Sequence, residues 1–146
     1  MTSAHRVLTG LLLAATLAGL LPAGARAEPV SAADTRAVRT VVEAQLAAFA
    51  QDDGPLAFSY AAPSIREMFG NAERFMAMVK SSYPAVYRPS AVVFLHPQWV
   101  QGRIVQGVHL TDAGGSLWLA VYTLERQGDQ WRISGCNLQP ATGRMT

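Results

Sequence analysis

Few side chains in this chain are equipped for chemistry, and their spacing narrows what they can do. Cys136 is the single cysteine. A thiol becomes a nucleophile when a base stands beside it. His96 and His109 are near it only in sequence, and neither has an acidic or cysteine partner at metal-ligand spacing. Neither a metal site nor a cofactor is expected, and Cys136 reads as a buried, inert thiol. Proton transfer inside an apolar cavity needs a buried carboxylate opposite a tyrosine or a second acid. No acid falls on an inward strand position: Asp112 and Asp129 sit in turn sequences, Glu125 at a strand end, Glu67 in a helix cap and Glu43 on an outer helix face. No catalytic residue is assigned.

Four residues remain as candidates for holding a ligand: Gln106, Tyr122, Trp118 and Asp52. Gln106 interrupts a strand face otherwise built from Ile104, Val108 and Leu110, and Tyr122 shares its face with Trp118. Such groups either satisfy one another inside the core or orient a ligand in an apolar cavity. The large groups belong under the helices, with Phe49 and Phe75 closing from above. Asp52 follows Gln45 by seven residues, which puts it on the same stripe if the helix continues. Otherwise Asp53 caps the next helix and Asp52 is solvated. Met68, Met76 and Met78 read as core filler.

Two halves of the chain position these groups. From residue 34 to about 83 the apolar residues fall at helical spacing; from about 90 to 138 they alternate or run in short blocks. Helices followed by strands imply an α+β domain, helices packed on an antiparallel meander. The first helix is predicted over residues 34–51, on the stripe Val38, Val41, Val42, Gln45, Leu46 and Phe49. A second piece follows the Asp52-Asp53-Gly54-Pro55 break and stops at Pro63. Ser64 and Glu67 fit a capping box, and Asn71 can cap a further helix carrying Phe75, Met78 and Val79. Strands are predicted over residues 91–95, 102–111, 116–126 and 131–138, with Tyr87 a possible added edge. Asp112-Ala113-Gly114-Gly115 and Gly128-Asp129 supply the turns.

The strand over residues 117–124 is apolar on both faces, and the helices can cover one. Leu117, Leu119 and Val121 therefore emerge on the far side. Either another segment of the chain shields them, or two copies join sheet to sheet.

Residues 1–27 carry the parts of a cleavable secretory signal. Arg6 precedes an uncharged apolar run over 7–21, Pro22 breaks it, and Ala25-Arg26-Ala27 offers small residues for cleavage. The run of about fifteen residues is short of the roughly 20 that span a bilayer. Removing 27 of the 146 residues leaves 119, a single domain over 28–146. Arg6 and Arg26 leave with the signal, so the remaining ten basic side chains balance ten acidic ones. No basic run tracks a phosphate backbone, so nucleic-acid binding is not expected. The expected location is periplasmic or secreted, with membrane contact through the signal before cleavage.

Several segments resemble domain-of-unknown-function family 4864, a family of exported bacterial domains within the nuclear-transport-factor-2-like (cystatin-like) superfamily. They are Gln45-Leu46-Ala47-Ala48-Phe49 running into Asp52-Asp53, Phe69-Gly70 with Arg74-Phe75-Met76-Ala77-Met78-Val79, Tyr122-Thr123-Leu124-Glu125, and Trp131-Arg132-Ile133-Ser134-Gly135-Cys136. The resemblance covers residues 34–138. It implies a cone in which helices close over a curved sheet, often as a homodimer, and it carries no established activity. The expected function is a non-catalytic module for a small apolar ligand or a protein partner. The alternative is a ketosteroid-isomerase-like isomerase or a hydrolase using polar groups in the cone.

Overall fold

The fold is taken from a computed structural model, which describes residues 28–141. The expected signal over 1–27 lies outside the described residues.

Helix α1 (Ala32–Ala50) opens two residues before the predicted start at residue 34, because Ser31 caps it: Ser31 Oγ accepts from Asp34 N at 3.0 Å. Val38, Val42, Gln45, Leu46 and Phe49 are buried along the stripe, as expected. Asp53 caps α2 (Gly54–Ser59), its Oδ1 accepting from Leu56 N at 3.1 Å. Helix α3 (Pro63–Phe69) departs from expectation. Pro63 opens this helix instead of stopping the one before, and no side chain caps it, so the Ser64–Glu67 box does not form. Proline at the first helical position has its φ preset and has no N–H to satisfy, which makes a cap less necessary. Asn71 caps α4 (Ala72–Ser82) through Oδ1, which accepts from Arg74 N at 2.9 Å. Tyr87 belongs to the short helix α5 (Pro84–Tyr87) and adds no strand.

The sheet is antiparallel and curved, with five strands: β1 (Ala91–Phe94), β2 (Gln98–Val100), β3 (Arg103–Thr111), β4 (Leu117–Gln127) and β5 (Gln130–Pro140). Helices followed by this sheet make the α+β fold that the change of period indicates. Strand β2 escaped the sequence reading because it is three residues long. β4 occupies one side of β3, so β1 and β2 share the other, β1 beside Val108–Thr111 and β2 beside Arg103–Val105. The edge is thus one strand interrupted at residues 95–97. Gln106 mends the interruption: its Nε2 donates to Leu95 O at 2.7 Å and to Gly107 O at 2.8 Å.

The helices bury one face of the sheet. Ile104, Val108 and Leu110 of β3, Ala120, Tyr122 and Leu124 of β4, and Trp131 and Ile133 of β5 join the helical stripe in one core. On the opposite face Leu117, Leu119 and Val121 are half-buried and lie outside that core. Leu95 folds over part of this face, where a Cβ on Gly107 would meet Leu95 Cδ1 at 3.0 Å and Leu119 Cδ1 at 3.7 Å. Val93 and Val100 nearby remain 53% and 45% exposed. No helix among the described residues is long and apolar enough to cross a membrane.

Candidate functional site

Between the sheet and the helices lies a cavity of about 430 Å³, within the range typical of small-molecule sites. Its position follows from the lengths of the elements above it. Helix α1 packs its stripe on the sheet and contributes Gln45 and Phe49 at one wall. Helices α3 and α4 bridge the remainder, with Ile65, Met68 and Phe69 from α3 and Phe75, Met78 and Val79 from α4. Tyr83 and Val86 close the α5 side, and Tyr122, Ile133 and Cys136 form the floor. Phe75 is the centre of an aromatic cluster, its ring centroid 5.9 Å from Phe49, 5.4 Å from Phe58 and 5.6 Å from Phe69.

Helix α3 has no buried residue, and Met68 is 72% exposed. The helix is fixed at its start by strand-like pairing: Ile133 N donates to Tyr60 O at 2.9 Å and Ala62 N to Ile133 O at 2.7 Å. At its end Gly70 takes a positive φ of 80°, which glycine adopts without steric cost.

The lining includes five polar side chains, Gln45, Ser82, Tyr83, Tyr122 and Cys136; the Tyr83 hydroxyl donates to Cys136 O at 3.2 Å, and Gln45 and Tyr122 are the buried members. Gln45 is buried, and its Nε2 donates to Ala57 O at 3.1 Å. A carbonyl can be met only by the NH₂ end of an amide, so this bond fixes which end faces away. Tyr122 is 1% exposed, and its hydroxyl is the one buried side-chain polar atom among the described residues without a hydrogen-bond partner. Burial, and then the neighbouring Cys136 thiol, hold its pKa well above the ordinary phenol value, so it stays protonated. Burial likewise pushes the Cys136 thiol up to about 12. Cys136 is free and only partly buried as a residue, being part of the cavity wall. His109 pairs with Leu119 and Val93 and so projects from the opposite face of the sheet to Cys136. No thiolate–imidazole pair can form there.

Of the four candidate ligand residues, Tyr122 lines the cavity and the other three do not. The cavity lies over β4 and β5, whereas Ile104 and Val108, which flank Gln106 on the same face of β3, are fully buried core. Gln106 serves the broken edge. Trp118 Nε1 donates to Asp112 Oδ2 at 2.9 Å, while Asp112 Oδ1 accepts from Gly114 N and Ser116 N. Trp118 thus secures the β3–β4 turn. The indole bond, first among these contacts, lowers the Asp112 pKa. Asp52, at a positive φ of 54°, binds the Tyr87 hydroxyl, Arg88 Nη2 at 2.9 Å and Lys80 Nζ at 3.2 Å. The Tyr87 hydroxyl foremost, then Lys80, lowers its pKa. It ties the α1–α2 junction to α4 and α5, outside the cavity.

Met68, Met78 and Cys136, read as filler and inert thiol, prove to be wall residues. The signal available was α3 itself: Ile65, Met68 and Phe69 are apolar, yet the helix is too short to bury them against a full partner. Among the lining residues there is no carboxylate, histidine, lysine or arginine. Within the described residues no cluster of three metal-ligating side chains occurs.

No curated protein and no solved structure matches the chain. Residues 31–146 match the family described as domain of unknown function (DUF4864), and the chain belongs to that family.

Proposed function

We propose that this is an exported domain that binds one small, largely apolar molecule in the cavity under α3 and α4. The carrying observation is the apolar cavity of about 430 Å³ between sheet and helices, covered on one side by α3, a helix that buries none of its own residues. At a water's share of about 30 Å³ of liquid volume, the cavity suits a molecule with on the order of 14 non-hydrogen atoms. Export rests on the leader-like sequence over 1–27, and the family match begins just past its expected cut. The relation to the nuclear-transport-factor-2-like cone belongs to the same reading, as does a role without catalysis: the cavity wall carries no carboxylate base for an isomerase or hydrolase.

Native mass spectrometry of protein expressed with its own leader tests the reading. The expected result is a chain starting at Glu28 and carrying one small non-covalent adduct. An unprocessed chain removes export, and an empty cavity that also refuses added apolar probes removes binding.

A second reading, compatible with the first, is a homodimer through the outer sheet face. Val93, Leu95 and Val100 are exposed there beside the half-buried Leu117, Leu119 and Val121. A contiguous apolar patch on a sheet marks an interface more often than a bare surface.

A further inference from the structure

We propose, on the binding reading above, that α3 is a lid. It turns about its two ends and closes on a molecule in the cavity, and Met68 becomes buried against that molecule.

The walls of the cavity are held with unequal strength. Helix α1 buries six residues, α4 buries Phe75, Met76 and Val79, and α5 buries Ala85 and Val86. Helix α3 buries none, and no side chain caps its first turn. Its charged residues add no anchor, since neither Arg66 nor Glu67 takes part in an ion pair among the described residues. A segment with few buried apolar contacts opens at a lower free energy than the rest of its fold. Of these walls, α3 is the one that moves first.

Both ends of α3 are suited to turning. At its start Ala61 and Ala62 are buried, and Tyr60 and Ala62 are bonded through the backbone to Ile133 of β5. This is a fixed point. Pro63 comes next, and it has no N–H that a rotation could leave unbonded. At the other end Gly70 has a φ of 80°, and a Cβ there would meet only Arg74 Nη1, at 3.9 Å. A glycine with so much room absorbs a change of backbone angle at little cost.

The side chains of α3 give it a reason to close. Ile65, Met68 and Phe69 stand at i, i+3 and i+4, so they share the helix face that lines the cavity. Ile65 and Phe69 are half-buried, and Met68 is 72% exposed. Phe69 meets Phe75 edge-on, 5.6 Å between ring centroids, and is the latch of the lid. A molecule in the cavity supplies the apolar surface that this face can cover, and removing that area from water favours the closed position. The burial of Met68 gained on closing is what couples binding to the movement.

Wild-type protein, expressed with its own leader, is sufficient for the test. Hydrogen exchange followed by NMR and brief peroxide oxidation are each measured with and without 2-acetylnaphthalene, whose binding is established separately by calorimetry. Without the probe, amides 66–70 are expected to exchange at least about tenfold faster than those of α1 and α4, while Ala62 and Ile133 stay protected. Peroxide should convert Met68 to its sulfoxide at least about tenfold faster than the buried Met76. At a free probe concentration about ten times its Kd, exchange at 66–70 should slow about tenfold, because opening must first release the probe. Oxidation of Met68 should slow at least about fivefold under the same linkage. Exchange at 66–70 no faster than in α1 and α4, or oxidation of Met68 unchanged by bound probe, overturns the lid while the cavity still binds. Absence of calorimetric binding removes the binding reading itself, and the lid with it.

Discussion

Tyr122 and Cys136 stand opposite each other across β4 and β5, both on the helix-facing side of the sheet, and no hydrogen bond joins them. The phenol and thiol each sit where burial suppresses ionisation. This pair forms the polar part of an otherwise apolar floor, and it gives the site a distinct response to mutation and pH.

Tyr122→Phe is expected to leave stability unchanged or slightly raised, although the residue is almost fully buried. Removing a buried hydroxyl that has no partner deletes a desolvation penalty and no interaction, while the ring keeps its packing. Urea denaturation of the two proteins checks this. A loss of several kcal/mol would mean that the hydroxyl is satisfied in the folded state.

Gln106→Leu should behave oppositely. Its amide supplies the donor that meets Leu95 O where the edge strand breaks, and leaving that group unsatisfied should cost about 1–3 kcal/mol. Ligand affinity should not change, because Gln106 lies outside the cavity wall. Denaturation midpoints and probe titration separate the two effects.

The contrast between these residues shows how far the sequence could be read. Strand parity put Gln106, Tyr122 and the core of β3 on one face, and the helical stripe of α1 was visible residue by residue. Parity gives the face but not the position along it. That position depends on where α3 and α4 bridge above the sheet, and on the break at residues 95–97 that engages Gln106. Trp118 shares parity with Tyr122, yet a turn carboxylate six residues earlier captures its indole. The position of Asp52 at the end of α1 leaves stripe and solvent both open, and its partners Tyr87, Arg88 and Lys80 come from about 28 to 36 residues away, which no local pattern foretells.

Alkaline pH should destabilise the domain in a specific way. The Cys136 pKa is about 12 in the folded chain against 9.0 ordinarily. Over that window the unfolded chain releases the thiol proton while the folded one keeps it, so unfolding becomes easier as pH rises. Stability is therefore full below about pH 9 and declines from there toward 12, and the raised Tyr122 pKa adds to the decline from about pH 10. Cys136→Ala should flatten the first part of the curve. At neutral pH a thiol reagent should label native Cys136 far more slowly than the unfolded chain, since the thiolate is the reactive form.

Leu119→Lys tests the outer sheet face. If two copies join there, wild type should sediment as a dimer at micromolar concentration and the variant as a folded monomer. Wild type that remains monomeric would remove the homodimer reading and leave the cavity reading untouched.

The most direct test of the binding reading is the stoichiometry of 2-acetylnaphthalene on wild type and on Ile65→Trp. Ile65 lines the cavity from α3, a helix without buried residues, so a larger side chain there should fill the space with little effect on folding. Calorimetric titration should show saturation at one molecule per chain for wild type and binding weakened at least about tenfold for the variant, with thermal unfolding still cooperative. Undetectable binding to wild type, or equal binding by both proteins, would contradict a ligand site in this cavity.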